Sequence, residues 1–374
     1  AVHYDAFLPW RYLPRALGKA ALKVEFGTGK CLAALGVDAR VITPYHRCVK
    51  DKYQDRVEHM FSFSVDLGWR SQYCGILTME YQGVPVYFID NEYYFGRGYI
   101  YGQCNSDEGE RFAFFSKAAL EAMPRIGFYP DVLHAHDWQA AMSIALLRMQ
   151  YGKSPDYRRV RTVYTIHNLK YQGVFSWPFM DELLSIGPEH FTGESLEYYG
   201  DINFTKGALV YSDAITTVSP TYAGEIQSPE YGETLDGVLR WRSRDIYGIM
   251  NGIDESLFDP ATDKAIYANY SIDDMSGKEQ CKAELQKMMG LRQEPYTPIV
   301  GMVSRLVSHK GLDLLCEVIH DLMEMPMQLV ILGKGDRKYE EFFNWAAQQY
   351  PGRMAVRLDY NEDLSMAIYA GADL

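Results

Sequence analysis

The sequence predicts an α/β fold of parallel strands covered by helices, arranged in two domains. Two observations carry this. From about Val37 onward, short β-rich runs alternate with longer stretches of helical period. The chain has 374 residues, 47% hydrophobic and 23% charged, which is enough to bury two cores without disulfide staples.

The strands expected in order are Ala39 to Thr43, Gly75 to Met79, Val84 to Ile89, Val132 to Ala135, Thr162 to Ile166, Ala214 to Val218, Ile299 to Val303, Gln328 to Leu332 and Met354 to Leu358. Each is a short run rich in β-branched or aromatic residues, bounded by polar residues, Gly or Pro. The helices expected between them are Glu108 to Ala122, Gln139 to Met149, Leu312 to Met323, Lys338 to Gln349 and Leu364 to Ala370. In the third, Leu312, Leu315, Cys316, Ile319, Leu322 and Met323 recur with helical period, marking one buried face. The stretch Tyr247 to Pro260 (YGIMNGIDESLFDP) holds an Asn-Gly turn signal and a proline, and polar sequence follows it to about Pro295. The domain boundary is placed there, giving domains 1–248 and 249–374.

Charge narrows the function. Lys plus Arg total 37 against 49 Asp plus Glu, a formal net charge of -12. Such a chain is poorly suited to wrapping nucleic acid or an anionic membrane surface. No apolar run approaches the roughly 18 residues of a spanning helix. The first 25 residues carry Asp5, Arg11, Arg15, Lys19 and Lys23 where an export signal would have an apolar core. Cys31, Cys48, Cys74, Cys104, Cys281 and Cys316 form no C-x-x-C pair and no metal-ligand spacing, so they read as reduced thiols of a cytoplasmic protein without a metal. The sequons at Asn203 and Asn269 are read as chance matches.

Three constellations could carry chemistry. The strand Val132 to Ala135 runs into His136, Asp137 and Trp138, so polar groups stand at a strand end, where α/β sheets bind ligands. His136 is the better functional candidate there, and His134 reads as a satisfied core residue. The strand Thr162 to Ile166 ends similarly in His167 and Asn168. In Ser304 to Leu315 a strand ends at Arg305, and Lys310 and Gly311 stand at the start of the amphipathic helix. Two cations beside free helix N–H groups would receive a phosphate or diphosphate. Tyrosine is abundant at 29 residues and clusters in NEYYFGRGYIYG (Asn91 to Gly102), which could stack on sugar rings or simply pack a loop. Gly333-Lys334-Gly335 and Gly27-Thr28-Gly29-Lys30 are too fragmentary for a cofactor role. The G-x-S-x-G elbow and the H-E-x-x-H helix are both absent from the sequence.

Taken in order, HAHDWQAA (His134 to Ala141), TIHNLKYQGVF (Thr165 to Phe175), INFTKGALVYSDAITTVSPTYAGEI (Ile202 to Ile226), GIMNGID (Gly248 to Asp254) and VSRLVSHKGLDLL (Val303 to Leu315) resemble bacterial glycogen synthase and plant starch synthase. The resemblance runs from about Ala33 to Leu374. It implies a GT-B glycosyltransferase, two Rossmann-like domains facing a cleft, that moves glucose from ADP-glucose to the non-reducing end of an α-1,4-glucan such as glycogen. Anomeric configuration would be retained, with no metal and no cofactor. The family's cleft histidine then falls on His136, its glucosyl-site acid in the D-x-x-x-R-F pattern on Asp107, its strand-end Asn on Asn168, and its diphosphate-binding pair on Arg305 and Lys310.

Two departures stand out. The family's donor-binding K-x-G-G-L loop corresponds to Leu17-Gly18-Lys19-Ala20-Ala21-Leu22-Lys23, which lacks the glycine pair, and residues before Cys31 do not resemble the family. The chain also ends at AIYAGADL, ahead of the family's E-P-C-G-L block and second K-x-G-G-L loop, with 126 residues from Ile249 onward. The expectation is a fragment with an incomplete second domain and impaired or no activity. A non-catalytic glucan-binding homologue is the alternative. A phosphorylase-like reading needs a Schiff-base lysine, and no stretch resembles its setting.

Overall fold

In the computed structural model the chain divides into two compact units, one reaching Gly252 and the other running from Ile253. The structure describes residues 2–4, 29–100, 106–253, 258–359 and 361–374. The Leu17 to Lys23 stretch, Cys104 and Gly27-Thr28 lie outside the described residues.

The first unit is built on a nine-stranded sheet. Its strands are β1 (Val2–Tyr4), β2 (Arg40–Pro44), β3 (Glu58–Leu67), β4 (Arg70–Tyr81), β5 (Val84–Asp90), β6 (Val132–His136), β7 (Arg161–Ile166), and, after a small separate sheet of β8 (Val174–Ser176), β9 (Glu197–Tyr198) and β10 (Asp201–Asn203), β11 (Ala214–Thr217) and β12 (Ile246–Gly248). The order across the sheet is β12-β11-β7-β6-β1-β2-β5-β4-β3. The seven strands from β12 to β5 are mutually parallel, as the alternating sequence pattern predicts. The far edge departs from the expected parallel sheet, because β4 is antiparallel to both β5 and β3. The reason is local. β4 and β5 are joined only by Gln82 and Gly83, with φ of 52° and 80°, and a two-residue turn of this kind joins antiparallel strands alone.

Helices cover the sheet. Ser106–Arg125 packs on Asp137–Leu146, which packs in turn on Phe204–Tyr211. The second helix begins two residues before Gln139 and gives way at Leu147–Tyr151 to a wider π turn. Trp138 sits at the centre of an aromatic cluster, with ring centroids 5.1 Å from Phe112, 5.7 Å from Phe175 and 6.4 Å from Phe204.

The second unit has a parallel sheet of β13 (Ile299–Val303), β14 (Gln328–Leu332) and β15 (Met354–Arg357). The helix Leu312–Glu324 buries Leu312, Ile319 and Met323, the face its periodicity marks. The polar stretch before Pro295 contains a helix the sequence reading left out, Ser276–Met289, packed on Glu362–Gly371. The strand ends at Val303, its expected bound, so Arg305 lies two residues beyond the strand and not at its end. Ser304–Leu306 continues as an extended seam against Gly333–Asp336, bonded through Ser304 N–H to Leu332 O at 3.1 Å, Leu306 N–H to Lys334 O at 3.1 Å and Asp336 N–H to Leu306 O at 2.7 Å.

That seam explains Gly333-Lys334-Gly335 without a cofactor. A Cβ on Gly333 would stand 1.8 Å from Ser304 O, and one on Gly335 would stand 2.2 Å from Leu306 O, so only glycine lets the two backbones meet. Gly333→Ala is therefore expected to destabilise the protein by at least about 2 kcal/mol. Gly237→Ala, in the helix Asp236–Trp241 with open space around its Cβ position, should be neutral or stabilising. Urea unfolding of the two variants checks the contrast.

Candidate active site

In the sheet of the first unit the chain proceeds outward in two directions. β1 leads to β2 and β5 on one side, whereas β6 leads to β7, β11 and β12 on the other. The reversal lies between the neighbours β1 and β6, and crevices for ligands form at such a switch point, beyond the carboxyl ends of the strands. His136 is the last residue of β6.

Its ring is only 3% exposed and is held on two sides. His134, two residues earlier on the same face, stacks on it with centroids 4.2 Å apart. Nδ1 of His136 lies 3.0 Å from Nε2 of His167, at the end of the neighbouring strand β7. His134 is itself engaged, its Nε2 standing 2.6 Å from Thr165 Oγ1, which in turn is 2.5 Å from Thr216 Oγ1. Burial pushes the His167 ring down to about 4, so it is neutral at ordinary pH.

The turn from strand to helix is made by Asp137, buried at 2% with φ of 52°. Its Oδ1 accepts the backbone N–H of His167 at 2.8 Å, which ties the end of β6 to the end of β7. Asn168 follows, its Oδ1 accepting the N–H of Lys170 at 3.0 Å to close an Asx turn. Gly173, with φ of 66°, lies against Trp138, and a Cβ there would meet the indole at 2.5 Å.

Asp107 stands in the first turn of Ser106–Arg125, where the helix dipole favours a negative charge. Both its oxygens are held by Arg97: Nη2 donates to Oδ1 at 2.9 Å, and Nη1 donates to Oδ2. This bond, followed by the fields of Arg97 and Arg111, holds the carboxyl below the usual carboxylate range. Arg97 has no periodic signal in the sequence and was missed; the one available pointer is its place in the tyrosine-rich segment.

His46 was also missed. It follows β2 at the same sheet edge, is 5% exposed, and packs edge-on against Phe95 at 5.5 Å. Burial, with the nearby Arg111 cation adding to it, lowers its pKa to about 3. Arg111 is fully buried and donates from Nη2 to Ile100 O at 2.9 Å.

In the second unit Arg305 and Lys310 flank one turn, with Arg305 half-buried and Lys310 exposed. Lys310 and Gly311 stand just before the helix, whose start at Leu312 is the expected one. Lys310 closes the 3₁₀ turn Ser308–Lys310, and Gly311 follows with φ of 71°. Gly311 has no side chain to cap the thirteen-residue helix, whose first N–H groups lack intrahelical partners. Asp313 in that first turn is drawn aside by Tyr339 Oη, which donates to it at 2.8 Å, and by Lys338.

Among the described residues no group of three His, Cys, Asp or Glu side chains could hold a metal ion. Among the same residues no helix is long and apolar enough to cross a membrane. Cys31, Cys48, Cys74, Cys281 and Cys316 carry free thiols.

Comparison with known proteins identifies the family and the fold type. The starch synthase catalytic domain family matches residues 24–241, more than half of the chain. A glycogen synthase of Bacillus cereus (strain B4264) is 48% identical over 345 residues, which cover 92% of this chain and 72% of that protein. A glycogen synthase of Clostridium novyi (strain NT) is 46% identical over 352 residues, 94% of this chain and 73% of that protein. The solved catalytic domain of Starch Synthase IV from Arabidopsis thaliana, bound to ADP and acarbose, is similar with a TM-score of 0.90 and 32% identity, covering 100% of this chain and 76% of that one. The fold is thus α/β of the GT-B glycosyltransferase type. The chain belongs to the glycogen/starch synthase family of hexosyltransferases.

The His46 environment makes a pH prediction. An unfolded histidine titrates near about 6.5. Between that pH and about 3 the unfolded chain therefore binds a proton that the folded one does not. Stability from this site is fully present above about 6.5 and is lost as pH falls through the window. His46→Gln should narrow the loss between pH 7 and pH 4.5 by on the order of 2 kcal/mol. Urea midpoints of both proteins at the two pH values test this, and equal losses would contradict it.

Proposed function

We propose that this chain transfers the glucosyl group of ADP-glucose to the non-reducing 4-hydroxyl of an α-1,4-glucan such as glycogen, with retention of configuration and without a metal or cofactor. The observation that carries the reading is the position of His136 at the sheet's switch point in a chain of this family. The relative solved with ADP and acarbose supports a nucleotide and a glucan as the two ligands.

In this reading His136 and Asn168 hydrogen-bond the sugar being transferred, and Asp107 faces it as a fixed carboxylate. Cleavage of the sugar-phosphate bond leaves its electron pair on ADP while the anomeric carbon gains positive charge. Arg305 and Lys310 oppose the negative charge on the departing diphosphate, beside the uncapped start of Leu312–Glu324. The free thiols and the bacterial relatives fit a cytoplasmic setting. Turnover is impaired in this reading, because the Leu17 to Lys23 stretch lacks the glycine pair that lets backbone approach a phosphate. The same substitution favours a second reading, a non-catalytic glucan-binding homologue. Incubation with ADP-glucose and glycogen separates the two: enzyme-dependent incorporation of glucose supports transfer, and glycogen co-sedimentation without incorporation supports binding alone.

Arg305→Ala and Lys310→Ala should each weaken ADP binding at least roughly tenfold, since a hydrogen bond to a charged group contributes about 1.5 to 3 kcal/mol and 1.4 is a factor of ten. Calorimetric titration with ADP checks this, and affinities within about twofold of the parent would remove the pair from the donor site. Arg305→Lys keeps the charge and loses the planar fork, so a large loss there points to two-pronged phosphate contact. His136→Ala should slow glucosyl transfer far more than it weakens glycogen binding, as expected for a group that orients the reacting sugar.

A further inference from the structure

The tyrosine-rich segment after β5 contains a cation that the reaction as described leaves unused. Arg97 spreads its guanidinium over three attachments. Nε donates to the backbone carbonyl of Tyr93 at 3.1 Å, Nη1 donates to Tyr99 Oη at 3.3 Å and to Asp107 Oδ2, and Nη2 donates to Asp107 Oδ1 at 2.9 Å. The guanidinium also lies 5.6 Å from the centre of the Tyr93 ring. The fork is thus fixed from behind by the segment that carries it, and both prongs go to a single carboxylate.

Exposure differs across the pair. The Arg97 side chain is 18% exposed and that of Asp107 is 40%. An ion pair meant for stability gains little so near water, typically 0 to about 1 kcal/mol. Here the cation is the covered member and the anion the presented one, an arrangement that suits a support and the group it supports. The topology agrees. β5 is parallel to β2, and β2 to β1 and β6, so the Asn91–Arg97 segment leaves the same sheet edge at which β6 delivers His136.

We propose that Arg97 is the positioning residue for Asp107, holding its carboxylate in one orientation so that its outward lone pairs accept hydroxyls of the sugar being transferred. The proposal rests on the reading of Asp107 as a sugar-facing acid. A two-pronged Arg–carboxylate pair fixes the plane of the carboxylate as well as its charge, which a lysine cannot do. Orientation is what matters when a hydrogen bond must form to a particular hydroxyl as the sugar leaves.

The test uses the whole chain with Arg97→Gln, Arg97→Lys, Asp107→Asn and the double variant Arg97→Gln/Asp107→Asn. Affinities are measured for ADP-glucose and, separately, for ADP, and the Asp107 carboxyl is titrated by carbon NMR. Arg97→Gln should weaken ADP-glucose binding roughly tenfold, leave ADP binding within about twofold, and raise the carboxyl titration toward about 3.9. Arg97→Lys should keep the carboxyl titration low yet recover only part of the ADP-glucose affinity. Because Arg97 acts through Asp107, the double variant should bind ADP-glucose no worse than Asp107→Asn alone. Losses that multiply in the double variant, or an unmoved carboxyl titration in Arg97→Gln, would overturn the proposal. Loss of ADP binding together with ADP-glucose binding would also overturn it, by showing a general structural role. Should Asp107→Asn bind ADP-glucose as well as the parent, the reading of Asp107 fails instead, while the carboxyl titration still shows whether Arg97 holds it.

Discussion

The candidate site depends first on a part-buried hydrogen bond between two strand ends. Asp137 must turn the chain from β6 into a helix within one residue, and it does so in the left-handed region, where aspartate is among the few residues with a side chain that are tolerated. Such a conformation costs of order 1 kcal/mol and persists only when the surroundings over-determine it. Here they do. Oδ1 of Asp137 accepts the His167 N–H, Trp138 fills the aromatic core, and Gly173 closes over the indole where no Cβ would fit. With that turn fixed, His136 has little choice of direction. His134 lies against one side of its ring and His167 meets its Nδ1.

Most of the parallel framework is legible in the sequence because buried parallel strands read as short apolar runs, and β13 and β14 match their expected bounds residue for residue. What escaped has a physical cause in each case. The edge strand β3 buries Val65 and Leu67 but exposes Ser62, Ser64 and Asp66 to water, so it reads as alternation diluted by polar residues. The helix Ser276–Met289 buries only a thin stripe, Cys281, Leu285 and Met289 among others, within a strongly polar sequence. Its end was readable all the same. Gly290 takes φ of 68° and Leu291 N–H reaches back to Gln286 O at 2.8 Å, the glycine-plus-hydrophobe closure common at helix C-termini.

The candidate site was legible where it lies on strand ends and illegible where it depends on pairs distant in sequence. His136 and His167 announce themselves by ending consecutive parallel strands. Arg97 precedes the helix that carries Asp107, and His46, beyond the end of β2, feels Arg111 on that same helix, so no periodicity links either pair. The seam between Ser304–Leu306 and Gly333–Asp336 is a further instance. Its glycines resemble a fragment of a dinucleotide-binding fingerprint in sequence, yet each is required by a backbone contact.

Electrostatics separates the two units by the ligands they suit. At the sheet edge of the first unit, His46 and His167 are kept neutral by burial, and the Arg97 cation is matched by the Asp107 carboxylate. That edge presents directional hydrogen-bonding groups, which is what a neutral sugar requires. The turn in the second unit gathers Arg305 and Lys310 beside the positive end of a helix, while its nearest first-turn acid, Asp313, is occupied by Tyr339 and Lys338. In the proposed reading this local positive charge holds the diphosphate, and the chain's net charge of -12 opposes it little, since charges beyond about 8 Å are screened at physiological salt. A nucleotide sugar has both chemistries in one molecule, a neutral ring and a charged diphosphate. In the proposed reading each part of such a molecule is met by different residues and by different forces.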